Sequence, residues 1–240
     1  MSSREVGSEL RKLASPRRAS DLAWFFKTEP GGYGEGDKFL GLSVPQSRSV
    51  AAKFPKLDLG ELKKLFYSKY HEERFCALVI LTKQFERARD GEVKQQLFNF
   101  YLSLYETGAI NNWDLVDVSA TRFGKHWVSD PNRIQKLVER TKSSNLWVQR
   151  SAVILTFPMI AEFDFDPTLE VARKLIYHPH DLIHKAVGWS LRDVGKKEPT
   201  PLLGFLDEFA STMPRTALRY AIEKLPEQER QSWLARKAQR

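Results

Sequence analysis

The stretch WVQRSAVI at residues 147–154 places one basic residue ahead of small and apolar residues, a composition typical of a packed helix. Three other stretches repeat this pattern: HEERFCALVI (71–80), LIHKAVGW (182–189) and MPRTALRYAI (213–222). Their basic residues are Arg74, Arg150, Lys185 and Arg215. Because the first interval between these residues is about twice the later ones, a further copy is expected near residue 112. A period of about 30–45 residues with paired helices indicates an all-α fold of the α-solenoid type.

The expected further copy, NWDLVD at residues 112–117, has acidic residues where the others have a cation. Trp113 and Asp117 are four residues apart, so they share one face of a helix. A carboxylate on an otherwise basic face is a local inconsistency of the kind found at functional sites. Asp117 is therefore a candidate for activating water or stabilising positive charge on a sugar, with an ordinary solvated acid as the alternative. Asp114 is interpreted as a helix-start residue.

The recurring cations predict a basic concave surface. In a solenoid each repeat places its second helix on the same side, so the basic residues and the helix N-termini face one way. Both features favour phosphate, and a curved row of them suits a DNA duplex. The net charge of +8 and the pI of about 9.5 agree with a polyanionic partner. The alternative is that these cations are only solvated.

Other features of the sequence exclude several classes of protein. Cys76, the one cysteine, lies in an apolar run and is predicted to be a buried, inert thiol in a reducing compartment. No run of 18 apolar residues and no apolar leader occur, so we expect a cytoplasmic protein with no membrane span. The glycine-rich stretch 31–37 lacks the Lys-Ser/Thr ending of a phosphate-binding P-loop and is predicted to be a connecting loop. The segment from about 226 to 240 is predicted to be a C-terminal tail.

Histidines and tryptophans supply two further candidate groups. His178, His180 and His184 resemble a metal cluster, but a connector followed by a helix cap explains them better, so no metal site is predicted. Trp147 is interpreted as a core residue. Trp189 follows Lys185 by four residues, shares its cationic face and is the better candidate for touching DNA.

Four segments together resemble the AlkD-type alkylpurine DNA glycosylases over about residues 8 to 225. They are GDKFLGLSVPQSR (36–48), NNWDLVD (111–117), NLWVQRSAVI (145–154) and HDLIHKAVGWSLRDVGKK (180–197). The resemblance implies a superhelical α-solenoid of HEAT-like helix-pair repeats, forming one domain over residues 1–240. It also implies hydrolysis of the N-glycosidic bond of cationic 3-alkyladenine and 7-alkylguanine in duplex DNA, in base excision repair and without a cofactor.

The family's functional residues match positions of this chain. The catalytic aspartate and its tryptophan partner fall on Asp117 and Trp113, the second sugar-facing tryptophan falls on Trp189, and the motif arginine falls on Arg150. The predicted catalytic residues are therefore Asp117, Trp113 and Trp189, and the predicted DNA-binding residues are Arg150, Lys185, Arg48, Arg74 and Arg215. The chain departs from the family pattern at Asn112, where typical members have a second tryptophan, and at Phe25, where relatives have an aromatic hydroxyl.

The resemblance predicts a monomer that binds alkylated double-stranded DNA and has no obligate protein partner. The alternative interpretation is a non-catalytic HEAT-repeat protein that binds duplex or distorted DNA. A protein-binding scaffold would lack the recurring cations and is disfavoured.

Overall fold

A computed structural model of the chain describes residues 1–236. These residues form fifteen α-helices and one short 3₁₀-helix, and the described part contains no strand beyond an isolated bridge between Lys38 and Tyr70. The prediction of an all-α fold is therefore confirmed. No helix in residues 1–236 is long and apolar enough to cross a membrane.

The chain divides into two compact units, Met1–Ser119 and Ala120–Arg240. The first unit contains six helices and most of a seventh, inside which the division falls. They are α1 (Ser3–Lys12), α2 (Pro16–Phe25), α3 (Val44–Ala52), α4 (Leu59–Phe66), α5 (His71–Arg87), α6 (Gly91–Glu106) and α7 (Trp113–Phe123).

The second unit continues with the 3₁₀-helix Gly124–Trp127 and eight α-helices. They are α8 (Arg133–Thr141), α9 (Leu146–Ile154), α10 (Phe157–Ala161), α11 (Asp166–Leu175), α12 (Asp181–Lys197), α13 (Pro199–Phe209), α14 (Arg215–Ala221) and α15 (Glu227–Ala235).

The helices that carry the repeat pattern begin close to its expected positions. Helix α5 begins at His71, α9 at Leu146, α12 at Asp181 and α14 at Arg215. The further copy expected near residue 112 is α7, which begins at Trp113. The helical content of the pattern is thus observed, while the superhelical arrangement and its basic face remain predictions.

Local side-chain caps explain where many of these helices begin. Ser43 and Gln46 form a reciprocal capping box at α3, and Asp90 accepts backbone N–H groups at the start of α6. Asn145 does the same for α9, with its Oδ1 2.8 Å from the backbone nitrogen of Trp147. The prediction that Trp147 is a core residue is confirmed, since it is buried at the start of α9.

Each unit has its own apolar core around one long helix. In the first unit α5 buries residues such as Leu78, Leu81 and Phe85 and packs against α3, α4 and α6. In the second unit α12 packs against α9, α11, α13 and α14. Cys76 is fully buried in α5, as predicted.

Two connecting segments bear on the sequence predictions. Residues 31–37 contain turns and no helix, and a Cβ on Gly34 would lie 2.3 Å from the carbonyl oxygen of Phe26, so only glycine fits there. The segment predicted as a tail from about residue 226 instead contains α15, which follows Pro226 and buries Trp233. The prediction was wrong there because one buried aromatic residue docks a polar helix. Residues 237–240 lie outside the described residues.

Candidate active site

A cleft of about 500 Å³ in the first unit contains the pair that the sequence singled out. Trp113 and Asp117 both line it, since residues four apart on α7 share one face. Both side chains are half-buried. The start of α7 is fixed by Asn112, which is fully buried and whose Oδ1 accepts a hydrogen bond from the backbone N–H of Trp113 at 2.9 Å. The cleft therefore presents the Trp113 indole and the Asp117 carboxylate from one face of a well-defined helix start.

Aromatic rings form the wall of the cleft behind Trp113. Phe26 stacks on Trp113 with ring centroids 5.4 Å apart, and Phe25 meets Trp113 edge-on at 6.2 Å. Phe39 stacks on Phe26 with ring centroids 5.2 Å apart and on the imidazole of His71 at 4.7 Å. Phe25 is 53% exposed, so this wall reaches the surface. Such a wall suits a flat or apolar group and presents electron-rich ring faces to positive charge.

Two exposed arginines also line the cleft, Arg18 on α2 and Arg48 on α3. Arg48 was predicted to bind DNA, and its exposure leaves the guanidinium available to a phosphate. Arg18 was not singled out by the sequence, because it lies outside the repeat pattern. A cleft with cations beside an acidic and aromatic interior can hold an anionic backbone next to a positively charged group.

A buried hydrogen-bonded cluster lies beside the cleft. Nε2 of His71 is 2.8 Å from Oδ2 of Asp114, and Nδ1 of His71 is 3.2 Å from Oδ2 of Asp37. Oδ1 of Asp37 accepts hydrogen bonds from Arg74 at 2.7 Å and from Asn111 at 2.9 Å. Burial raises the pKa of the Asp37 carboxyl, but the hydrogen bond to His71 and the charge of Arg74 outweigh it and hold that pKa below its ordinary value. Asp114 lies in the first turn of α7, as expected, but its carboxylate pairs with His71.

The burial of Arg74 does not support the prediction that it binds DNA phosphate, which stays a prediction. Arg74 is 4% exposed, and its guanidinium donates to Asp37 and to the carbonyl oxygen of Ser68 at 2.7 Å. Its neighbours Glu72 and Glu73 are also buried. Arg74, the basic residue of this repeat, therefore neutralises the buried carboxylate of Asp37. The pattern of basic and apolar residues cannot distinguish such a buried ion pair from a basic residue at the surface.

Sequence reasoning missed Asp37, His71 and Glu72. Glu72 accepts hydrogen bonds from the backbone N–H groups of Leu40, Gly41 and Leu42 at 2.8 to 3.1 Å, which holds the chain before α3 against α5. One sequence feature could have indicated these residues: four consecutive polar residues, HEER, stand at the N-terminus of an otherwise apolar helix. Buried polar groups need partners, so that run of polar residues indicates an internal network.

The second unit holds the remaining predicted residues. Trp189 on α12 is half-buried and meets Phe157 edge-on with ring centroids 4.7 Å apart. The Lys185 Nζ lies 2.8 Å from Oδ2 of Asp181, and its side chain is 39% exposed. Arg150 is 5% exposed and donates to the carbonyl oxygen of Leu182, so little of its surface faces solvent. Their roles toward DNA stay predictions.

Arg215 and the histidines at the start of α12 also lie in the second unit and make local hydrogen bonds. Arg215 is exposed and donates to the carbonyl oxygen of Leu234 at 2.6 Å. His180 caps α12, with its Nδ1 accepting from the backbone N–H of Leu182 at 3.1 Å, and His184 contacts the carbonyl oxygen of His178. These histidines thus make the cap and connector contacts that the sequence favoured. Within residues 1–236 no group of three or more metal-ligating side chains is arranged to hold a metal ion.

Two comparisons with known proteins match nearly the whole chain. The family profile described as DNA alkylation repair enzyme matches residues 6–225. A solved structure described as a predicted DNA alkylation repair enzyme from Enterococcus faecalis superposes with a TM-score of 0.70. It is 17% identical and covers 89% of this chain and 97% of its own, a likeness of fold. No curated protein matches the sequence.

Proposed function

We propose that this chain, which belongs to the DNA alkylation repair enzyme family, is a monofunctional glycosylase that removes cationic alkylated purines from duplex DNA. The proposal narrows the family's role in alkylation repair to one reaction, the hydrolysis of the bond between base and deoxyribose. The observation that carries it is the presence of Asp117 and Trp113 in one aromatic cleft with arginines among its lining residues.

The chemistry needs a negative charge beside the sugar and little else. A 3-alkyladenine or 7-alkylguanine already carries positive charge, so it leaves as a neutral base with the electron pair of the glycosidic bond. The deoxyribose then gains oxocarbenium character, which Asp117 stabilises across the cleft. Water adds to the anomeric carbon and releases its proton to solvent, which leaves an abasic site. The Trp113 ring packs against the sugar and favours its developing charge.

The proposed contacts with the DNA backbone involve cationic side chains. Arg48 and Lys185 hold phosphates, and Arg215 is a further candidate. Trp189 and Arg150 take part by their resemblance to family positions, as a second sugar-facing ring and a phosphate ligand. The superhelical repeat arrangement over a single domain, a monomeric state and a cytoplasmic location belong to the same proposal.

The test compares wild type with Asp117→Asn. Release of methylated purine from alkylated duplex DNA is measured with spontaneous depurination subtracted, and DNA affinity is measured on the same preparations. We expect Asp117→Asn to bind DNA like wild type and to release base at least about 100-fold more slowly. Glu170→Gln changes an exposed carboxylate on α11 and serves as the matched control.

Two results would contradict the proposal. If wild type binds duplex DNA but releases no alkylated base, the chain is a binding protein of this family. If Asp117→Asn retains the rate of wild type, the reaction stands and the assignment of Asp117 fails.

A further inference from the structure

The cluster of Asp37, His71 and Asp114 has an arrangement that a neutral histidine cannot satisfy while both carboxylates are ionised. Both ring nitrogens of His71 lie within hydrogen-bond distance of a carboxylate oxygen, at 3.2 Å and 2.8 Å. A neutral imidazole has one N–H donor, whereas an imidazolium has two. Ionised carboxylates only accept, so with both aspartates ionised the two contacts are satisfied by a protonated ring that donates to each of them.

The surroundings of His71 favour that protonated state. Burial lowers the pKa of the imidazole, but the charge of Asp114 and the hydrogen bonds to Asp114 and Asp37 outweigh burial and raise that pKa to about 9. Arg74, one turn along α5, acts in the opposite direction. The groups that surround the His71 ring are therefore Asp37 from the loop before α3, Asp114 from α7 and Arg74 from α5. The ring of Phe39 stacks on the imidazole.

The same cluster adjoins the proposed catalytic pair by two routes. Through bonds, His71 holds the carboxylate of Asp114, which lies between Trp113 and Asp117 on the first turns of α7. Through ring contacts, His71 meets Phe26 in a tilted arrangement with centroids 5.1 Å apart, and Phe26 stacks on Trp113. Both His71 and Asp114 line the cleft. The Asp114 side chain is 15% exposed, and its Oδ1 is buried without a hydrogen-bond partner among the described residues.

We propose that His71, bridging Asp37 and Asp114, is a positioning residue that orients the first turns of α7, and with them Trp113 and Asp117, for base excision. This inference rests on the proposed glycosylase function. Loss of the His71 proton removes one of the two donated hydrogen bonds and leaves a carboxylate facing a nitrogen lone pair. The turn that carries Trp113 then loses its anchor, and excision slows while phosphate contacts persist.

The first experiment is the pH dependence of single-turnover excision, with DNA binding measured in parallel. Wild type is expected to lose rate as pH rises through about 9, the pKa of His71. Asp114→Asn keeps the shape of the side chain but removes its charge, which should lower the pKa of His71 by about one unit or more. The alkaline limb of the pH–rate profile, where the rate falls as pH rises, should move to lower pH by the same amount. Glu92→Gln, an exposed carboxylate on α6 of the same unit, should leave the limb in place.

The second experiment does not depend on catalysis. Nitrogen and proton NMR of the wild-type imidazole rings should show one histidine that stays protonated at pH 7.5 and titrates near pH 9, assigned by its loss in His71→Gln. A His71 that titrates near its ordinary value would overturn the bridge.

Failure of the positioning role and failure of the proposed glycosylase function give different results. If wild type excises base but Asp114→Asn leaves the alkaline limb unmoved, the positioning role fails and the glycosylase stands. If wild type excises no base, the proposed function and the positioning role fall together, and the NMR titration still decides the charged bridge.

Discussion

The same substitution, glycine to alanine, should have opposite effects at two positions of the second unit. A Cβ on Gly188 in α12 would lie 2.5 Å from the carbonyl oxygen of Ala217 and 2.5 Å from the Cβ of Tyr220, both on α14. A Cβ on Gly204 in α13 would meet nothing within 4 Å. Both glycines lie inside helices and have no positive φ, so alanine gains the same intrinsic helix propensity at each.

The magnitudes follow from those contacts. Alanine in a helix interior is favoured over glycine by about 1 kcal/mol, which is the expected gain for Gly204→Ala. At Gly188 the clash involves a backbone oxygen and a Cβ, so α12 and α14 must move apart, and overpacking costs about 1–3 kcal/mol against the same gain. The free energies of unfolding of the two variants should therefore differ by about 2 kcal/mol, with Gly188→Ala the less stable.

Urea unfolding followed by circular dichroism measures this difference, with the slope of each transition compared to detect any change in cooperativity. Under the proposed function, excision provides a second readout, because Gly188 precedes Trp189, the proposed second sugar-facing ring, and displacement of α12 should slow base release. Equal stabilisation by both substitutions would show that α12 and α14 do not approach as closely as described.

Three other outcomes follow from the described contacts. Arg74→Gln removes the arginine from the buried Asp37 and should cost about 3–5 kcal/mol of unfolding free energy. Arg48→Gln should instead leave stability unchanged, weaken DNA binding and reduce its salt dependence by about one counterion. Weaker DNA binding by folded Arg74→Gln with intact stability would support the predicted phosphate role. Because burial raises the pKa of the Cys76 thiol to about 12, a thiol reagent at pH 8 should label the protein only in denaturant, and rapid labelling of the native chain would contradict its burial. His71 has a folded pKa of about 9 against 6.5 in the unfolded chain, so its contribution is fully present below pH 6.5 and is lost as pH rises through 9. Urea unfolding at pH 6.5, 8 and 9.5 should show the free energy falling by up to about 3 kcal/mol, and a flat profile would refute the bridge.

The sequence by itself determined the features that depend on neighbours along one helix. The all-helical fold follows from apolar residues at helical spacing and from local caps such as Asn145, since both act within a few residues. Trp113 and Asp117 face one cleft because a four-residue separation is one helical turn. Cys76 is buried because its neighbours in α5 are apolar.

The tertiary structure decided the features that join distant residues. Arg74 was expected at the surface, and it is buried because Asp37, from the loop before α3, supplies a carboxylate that no local pattern reveals. His71 and Asp114 are likewise paired across 43 residues of sequence. A basic or acidic residue at the head of a helix can face solvent or a buried partner with equal local propensity. Only the packing of other elements fixes which of these it does, and here that packing places a charged cluster beside the candidate catalytic pair.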